Sequence, residues 1–123
     1  MMKVLIVDDS IFSQKMTANL IKKYISDVEL YYAVDGQDGY NKYKNVNPDY
    51  ILVDLLMPRI GGIELIGMIK EYNEHAKIIV LSADVQKNVR EEVDALNVID
   101  FVNKPFCDEK AKPMCEMMIR SMS

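Results

Sequence analysis

The sequence predicts an α/β fold in which helices cover both faces of a single parallel sheet. The main observation is a set of short, nearly continuous apolar runs, at residues 4–7, 50–53, 77–81 and 98–102. Such runs are typical of strands that are buried on both faces, as in parallel sheets. Segments with helical periodicity separate the runs, and strands that alternate with helices indicate βαβ units.

The first strand and the first helix follow one another directly. The strand is the apolar run that ends at Val7, and Ser10 is suited to cap a helix that continues to about Tyr24. We expect one apolar face of this helix to pack on the sheet. That face consists of Phe12, Met16, Leu20 and Ile21.

The next two elements are more polar. Residues 28–34 predict a second strand near an edge of the sheet, because polar residues interrupt its apolar ones. Asp35-Gly36 turns the chain into a short polar helix that continues to about Lys44. Asn47-Pro48 ends this helix before the third strand.

Three further helices complete the alternation of strands and helices. Gly61-Gly62 opens the third helix, whose inward residues are Ile63, Leu65, Ile66 and Ile69. Residues 85–96 form the fourth helix, and Asn97 can end it in a left-handed conformation. The last helix ends near Ser121, and Pro113 should lie in its first turn. This order predicts one doubly wound, flavodoxin-like (βα)5 domain with strand order 2-1-3-4-5.

The composition is that of an ordinary globular domain and narrows the range of partners. The 123 residues are 50% hydrophobic and 28% charged, and the net charge of −4 argues against a nucleic-acid-binding surface. No apolar stretch reaches the length of a membrane span, and the first run stops at Asp8, too early for a signal peptide. We therefore expect a cytoplasmic protein in which Cys107 and Cys115 are free thiols and His75 is exposed.

Polar side chains stand at or just beyond the ends of four predicted strands. Asp8 and Asp9 follow the first strand, Asp54 the third, Ser82 the fourth and Lys104 the last. Because ligands bind at the carboxyl ends of parallel strands, we expect these groups to lie at one edge of the sheet. Three carboxylates, a hydroxyl and an ammonium describe a site for a divalent metal ion and a phosphoryl group.

The chain as a whole resembles the receiver domain of two-component response regulators in its stand-alone, CheY-like form. The resemblance rests on four pieces that occur in this order, each at a strand end. They are Asp8-Asp9-Ser10, the stretch 54–62, Ser82-Ala83 and Lys104-Pro105-Phe106. By this resemblance, residues 1–123 are one response regulator receiver domain.

The resemblance implies a role for each site residue. The implied roles are phosphoacceptor for Asp54, Mg²⁺ ligands for Asp8, Asp9, Asp54 and the backbone carbonyl of Leu56, catalytic lysine for Lys104, switch hydroxyl for Ser82 and switch aromatic for Phe101. Magnesium suits this set because it takes carboxylate and carbonyl oxygens and keeps several waters. The resemblance also implies a cis Lys104–Pro105 peptide bond.

The implied function is signalling by phosphorylation. A histidine kinase would donate the phosphoryl group, the domain would itself catalyse the transfer and the later dephosphorylation, and a phosphatase is a further expected partner. A downstream protein of unknown identity would bind the face made by the fourth helix, the fifth strand and the last helix, and a chemotaxis-type pathway fits. The alternative is a receiver-fold module that binds a partner without being phosphorylated. A dinucleotide site is excluded because no Gly-x-Gly-x-x-Gly motif is present.

Overall fold

The computed structural model describes residues 1–57, 59–83 and 86–122. Within these ranges the chain forms five strands, β1 (Met2–Val7), β2 (Val28–Ala33), β3 (Tyr50–Val53), β4 (Ile78–Ser82) and β5 (Asp100–Asn103). They pair in parallel in the order β2-β1-β3-β4-β5, which confirms the predicted order and places the polar second strand at an edge.

The same ranges contain five helices, α1 (Ile11–Tyr24), α2 (Gly36–Val46), α3 (Gly62–Tyr72), α4 (Lys87–Asp94) and α5 (Asp108–Ser121). Ser10 caps α1 as predicted, because its hydroxyl accepts a hydrogen bond from the backbone of Ser13. Asn97 has the expected left-handed backbone, with φ 57°. The predicted start of the fourth helix, Val85, lies outside the described residues, and α4 is described from Lys87.

The sheet separates two apolar layers. Alternate residues of the strands pack on one side against α1 and α5, and on the other side against α2, α3 and α4. The inward residues of α3 are fully buried at Leu65, Ile66 and Ile69, whereas Ile63 is only partly buried. Both faces of the sheet are therefore covered, as the continuous apolar runs predicted.

The inward face of α1 differs from the prediction. Phe12 and Met16 are 64% and 49% exposed, while the buried residues of the helix are Gln14, Thr17, Ala18 and Ile21. Small residues let the helix lie close to the strands, and the Gln14 amide finds hydrogen-bond acceptors there. The predicted face was thus wrong for Phe12 and Met16 and correct for Ile21.

Pro113 also lies elsewhere than predicted. Because α5 begins at Asp108, Pro113 is in the second turn and not in the first. The helix begins early because the Cys107 carbonyl accepts hydrogen bonds from the backbone of Lys110 and Ala111. The proline deprives the Glu109 carbonyl of its helical partner, and both residues are exposed, so solvent can reach that side of the helix.

Three other expectations concern exposed or free side chains, one peptide bond and membrane-spanning helices. Cys107 and Cys115 are free thiols, and the side chain of His75 is 88% exposed. The Lys104–Pro105 peptide bond is cis, as predicted. In the described ranges no helix is both long enough and apolar enough to cross a membrane.

Candidate functional site

The carboxyl ends of the strands bring the three predicted acids together. Asp8 follows β1 and Asp54 follows β3, and both residues, at the ends of these two neighbouring parallel strands, are less than a tenth exposed. Asp9 is exposed beside them. Carboxylate oxygens of Asp8, Asp9 and Asp54 lie within 4.8 Å of one another, so the strand-end rule located this cluster correctly.

Lys104 is the counter-charge of the cluster. Its Nζ donates hydrogen bonds to Asp8 Oδ2 at 2.9 Å and to Asp54 Oδ2 at 3.0 Å. Burial by itself lowers the pKa of Lys104, but the hydrogen bonds to Asp8 and Asp54 and the attraction of both carboxylates together raise it above its ordinary value. The lysine is therefore a permanent positive charge between two acids at neutral pH.

The Asp54 carboxylate is held at both of its oxygens. Oδ1 accepts from the Ser82 hydroxyl at 3.1 Å and from the Leu56 backbone N–H at 3.1 Å, while Oδ2 accepts from Lys104. Ser82 is fully buried at the end of β4, and its hydrogen bond fixes its distance from Asp54. A carboxylate held by three donors is orientated before any reaction partner arrives.

Of the two remaining predicted residues, Leu56 lies close to Asp54 in the sequence and Phe101 lies away from the site. Leu56 follows Asp54 by two residues, and the residue is 56% exposed. Phe101 does not reach the site: it pairs with Val80 on β4, two residues before Ser82, and packs in the layer under α3 and α4. The Arg90 guanidinium lies over the Phe101 ring at 4.4 Å, a cation–π contact between α4 and β5.

Two site residues on α1 were missed by the sequence reasoning. The Ser13 hydroxyl accepts a hydrogen bond from Lys104 Nζ at 3.0 Å. Gln14 is buried, and its Nε2 donates to the backbone carbonyls of Asp8 at 2.8 Å and Ala33 at 2.9 Å. The signal was a group of polar residues on one side of the helix, in which Thr17 lies three and four residues after Gln14 and Ser13.

The loop between β3 and α3 is held close to the site by glycine. A Cβ atom on Gly62 would lie 2.6 Å from the carbonyl oxygen of Asp54, and one on Gly36 would lie 2.3 Å from that of Ile60. Only glycine permits such approaches between backbones. The loop is therefore packed against the end of β3 on one side and the start of α2 on the other.

The three acids suit a hard divalent cation. Magnesium binds oxygen ligands and is held in proteins by one or two carboxylates together with waters. Asp8 and Asp54 are oriented by hydrogen bonds from Ser10 N–H and Leu56 N–H, and Asp9 is open to solvent. The oxygen-only donor set and its access from solvent fit Mg²⁺ and would not suit a metal that prefers thiolate or imidazole ligands.

Comparisons with known proteins point to one family. The family model described as response regulator receiver domain matches residues 4–115. The chemotaxis protein CheY of Thermotoga maritima is 38% identical over 104 residues, which cover 85% of this chain and 86% of that protein. A protein-glutamate methylesterase/protein-glutamine glutaminase of Geobacter sulfurreducens is 31% identical over 103 residues, but the match spans only 28% of its length.

A solved structure agrees with the sequence comparisons. The CheX-CheY-BeF3-Mg²⁺ complex of Borrelia burgdorferi contains a chain that matches this one with a TM-score of 0.83 and 27% sequence identity. The match covers 98% of this chain and 88% of that chain.

Proposed function

Because the chain belongs to the response regulator receiver domain family, we propose that it takes a phosphoryl group from a histidine kinase onto Asp54 and signals in that state. The observation that carries the proposal is the setting of Asp54. Its carboxylate is nearly buried at the end of a central strand, and Ser82, Leu56 N–H and Lys104 hold both of its oxygens. Two more acids stand within reach of the same point.

The transfer uses these residues by position and charge. An Asp54 oxygen forms a bond to phosphorus while the P–N bond of the donor's phosphohistidine breaks, and the imidazole keeps the bonding electron pair. Lys104 and the Ser82 hydroxyl then donate hydrogen bonds to phosphoryl oxygens. Such a transfer needs little covalent chemistry from the protein beyond the nucleophile, so alignment and charge neutralisation supply most of the catalysis.

The acidic cluster would hold the metal ion. Asp8, Asp9, Asp54 and the backbone carbonyl of Leu56 are the residues that would bind Mg²⁺, and the bound ion would offset the repulsion between an anionic nucleophile and an anionic phosphoryl group. Lys104 forms ion pairs with Asp8 and Asp54 and contributes a single positive charge to the site. The cluster therefore carries more negative charge than the lysine neutralises.

Phosphorylation would be read out through β4 and β5. Ser82, when it turns to a phosphoryl oxygen, gives up its bond to Asp54 and biases the packing that surrounds the Phe101 ring. Arg90 covers this ring, so a movement of Phe101 would also change the outer surface of α4. The face formed by α4, β5 and α5 is the surface on which a downstream protein would sense the change.

The relatives support the choice of partners. CheY proteins named for chemotaxis match 86% and 85% of the chain, which favours a chemotaxis-type pathway. The CheY of Borrelia burgdorferi was solved together with CheX, BeF3 and Mg²⁺, so a receiver of this family binds another protein in that state. By analogy a phosphatase and a downstream target are proposed partners besides the histidine kinase, all in the cytoplasm.

Phosphorylation in vitro tests the proposal. Incubation with acetyl phosphate and Mg²⁺ should add one phosphoryl group by intact mass to the wild type and to Asp27→Asn, a control at an exposed acid, but none to Asp54→Asn. Asp9→Ala should weaken Mg²⁺ binding in calorimetry. Equal uptake by the wild type and Asp54→Asn would refute the assignment, and no uptake by the wild type would favour a binding module that works without phosphorylation.

A further inference from the structure

We propose that Ser13 is a positioning residue, whose hydroxyl holds the ammonium of Lys104 in place while the phosphoryl group is transferred. This inference rests on the proposed function and concerns the same site. Ser13 is not at a strand end; it is the third residue of α1, and its Oγ lies 3.0 Å from Lys104 Nζ.

The hydrogen-bonding capacity of the lysine explains why a third acceptor matters. An ammonium has three protons, and here they meet Asp8 Oδ2 at 2.9 Å, Asp54 Oδ2 at 3.0 Å and Ser13 Oγ at 3.0 Å. Each proton of the flexible lysine thus has one acceptor, and the three acceptors come from β1, β3 and α1. Three fixed acceptors define the position of Nζ better than two.

Ser13 differs from the other two acceptors because the reaction does not alter it. Asp54 exchanges a carboxylate charge for an acyl phosphate bond, and Asp8 belongs to the cluster that would hold the metal ion. The serine hydroxyl is uncharged and remains an acceptor before and after transfer. It can therefore keep Nζ aligned while the proton donated to Asp54 turns to a phosphoryl oxygen.

The local structure fixes the position of Ser13, and Lys104 depends on the Ser13 hydroxyl for its third hydrogen bond. The Ser13 N–H is held by the capping hydroxyl of Ser10 at 3.2 Å, in the first turn of the helix. On the same side a cavity of about 400 Å³ opens between α1 and the chain after β5, with Phe12 and Phe106 among its lining residues. Among the described residues no other acceptor meets the third proton, so without the Ser13 hydroxyl the lysine would sample more orientations.

A double-mutant cycle tests this coupling. Phosphorylation rates with acetyl phosphate and Mg²⁺ are measured by intact mass for the wild type, Ser13→Ala, Lys104→Met and the double variant. Ser13→Ala should slow phosphorylation about five- to tenfold, the effect of losing one ordinary hydrogen bond, because Lys104 keeps its two carboxylate acceptors. In the Lys104→Met background the same change should alter the rate less than about twofold, and Ser13→Thr, which restores a hydroxyl, should recover most of the wild-type rate.

Asn19→Ala is the matched control on the same helix, because it removes an exposed polar side chain that is not an acceptor of Lys104. Any slowing that it causes should be the same with Lys104 and with Met at position 104. If Ser13→Ala is as fast as the wild type, or if its loss is equally large without Lys104, the inference is wrong.

A second measurement serves if Lys104→Met reacts too slowly to follow. The fluorine atoms of beryllofluoride stand in for phosphoryl oxygens, and ¹⁹F NMR of the bound ion reports each of their hydrogen bonds. Ser13→Ala and Lys104→Met should shift the same fluorine resonance, and unshifted resonances in Ser13→Ala would overturn the inference. If the wild type is phosphorylated and Ser13→Ala reacts equally fast, only the role of Ser13 is contradicted. If the wild type takes up no phosphate on Asp54, the proposed function is contradicted as well.

Discussion

The buried amide of Gln14 donates hydrogen bonds to two strand-end carbonyls beside the site, and its removal should destabilise the protein. Replacement of Gln14 by leucine keeps a side chain of similar size on the buried face of α1 but removes both hydrogen bonds from Nε2. The Ala33 carbonyl would keep a partner, because it also accepts from the Asp8 backbone N–H at 3.0 Å. In the described part of the chain, the Asp8 carbonyl would keep none.

The magnitude follows from this difference between the two carbonyls. A buried carbonyl left without a partner costs about 1–3 kcal/mol, and the second lost hydrogen bond adds about 1 kcal/mol. We therefore expect Gln14→Leu to lower the free energy of unfolding by about 2–4 kcal/mol. This is a large share of the roughly 5–15 kcal/mol that stabilises a typical domain.

Urea unfolding followed by circular dichroism measures this loss. Gln37→Leu is the matched control, because Gln37 is exposed on α2 and its amide bonds only to Asn41 within the described residues. The control should change the free energy of unfolding by less than about 0.5 kcal/mol. A Gln14→Leu protein as stable as the control would show that the buried amide does not hold the β1–α1 connection.

Three further outcomes are expected. Leu56→Asn should speed loss of phosphate from the phosphorylated protein, because the exposed leucine beside Asp54 offers an attacking water no hydrogen bond; the decay is followed by intact mass. Tyr50→Phe should cost about 1–2 kcal/mol in urea unfolding, because the buried hydroxyl bonds to the last turn of α5 at 2.9 Å, while Tyr72→Phe should be nearly neutral. At pH 8 iodoacetamide should label Cys107 and spare Cys115, since burial raises the pKa of the Cys115 thiol to about 11 and the thiolate is the nucleophile.

The sequence located the strands and the site's centre because both depend on short-range patterns. Apolar runs marked the buried strands, and residues that follow parallel strands must meet at one edge. Asp8, Asp54, Ser82 and Lys104 were therefore found before any contact was known. The left-handed Asn97 was likewise predicted from its tolerance of positive φ.

The two residues that α1 contributes to the site, Ser13 and Gln14, could not be predicted in the same way. Hydrophobicity favoured Phe12 as an inward residue, yet in the structure Gln14 is the buried one, and its amide donates to the carbonyls of Asp8 and Ala33. Which polar residue reaches Lys104 depends on the rotation and offset of the helix, and these are set by tertiary packing. The position of Pro113 in the helix was predicted wrongly for a related reason. The backbone after β5 begins α5 at Asp108, five residues before the proline.

The sequence separations within the Lys104 cluster have a consequence for the order of synthesis. Lys104 lies 96 residues after Asp8 and 50 residues after Asp54, the two acids that it neutralises. A chain emerging from the ribosome exposes all three acids before Lys104 has been synthesised. Asp54, the proposed nucleophile, therefore lacks one of its three hydrogen-bond donors while the last strand is missing. The complete site for a phosphoryl group would then form only when the sheet is complete. Truncated or partly folded chains would not be phosphorylated efficiently and would not signal.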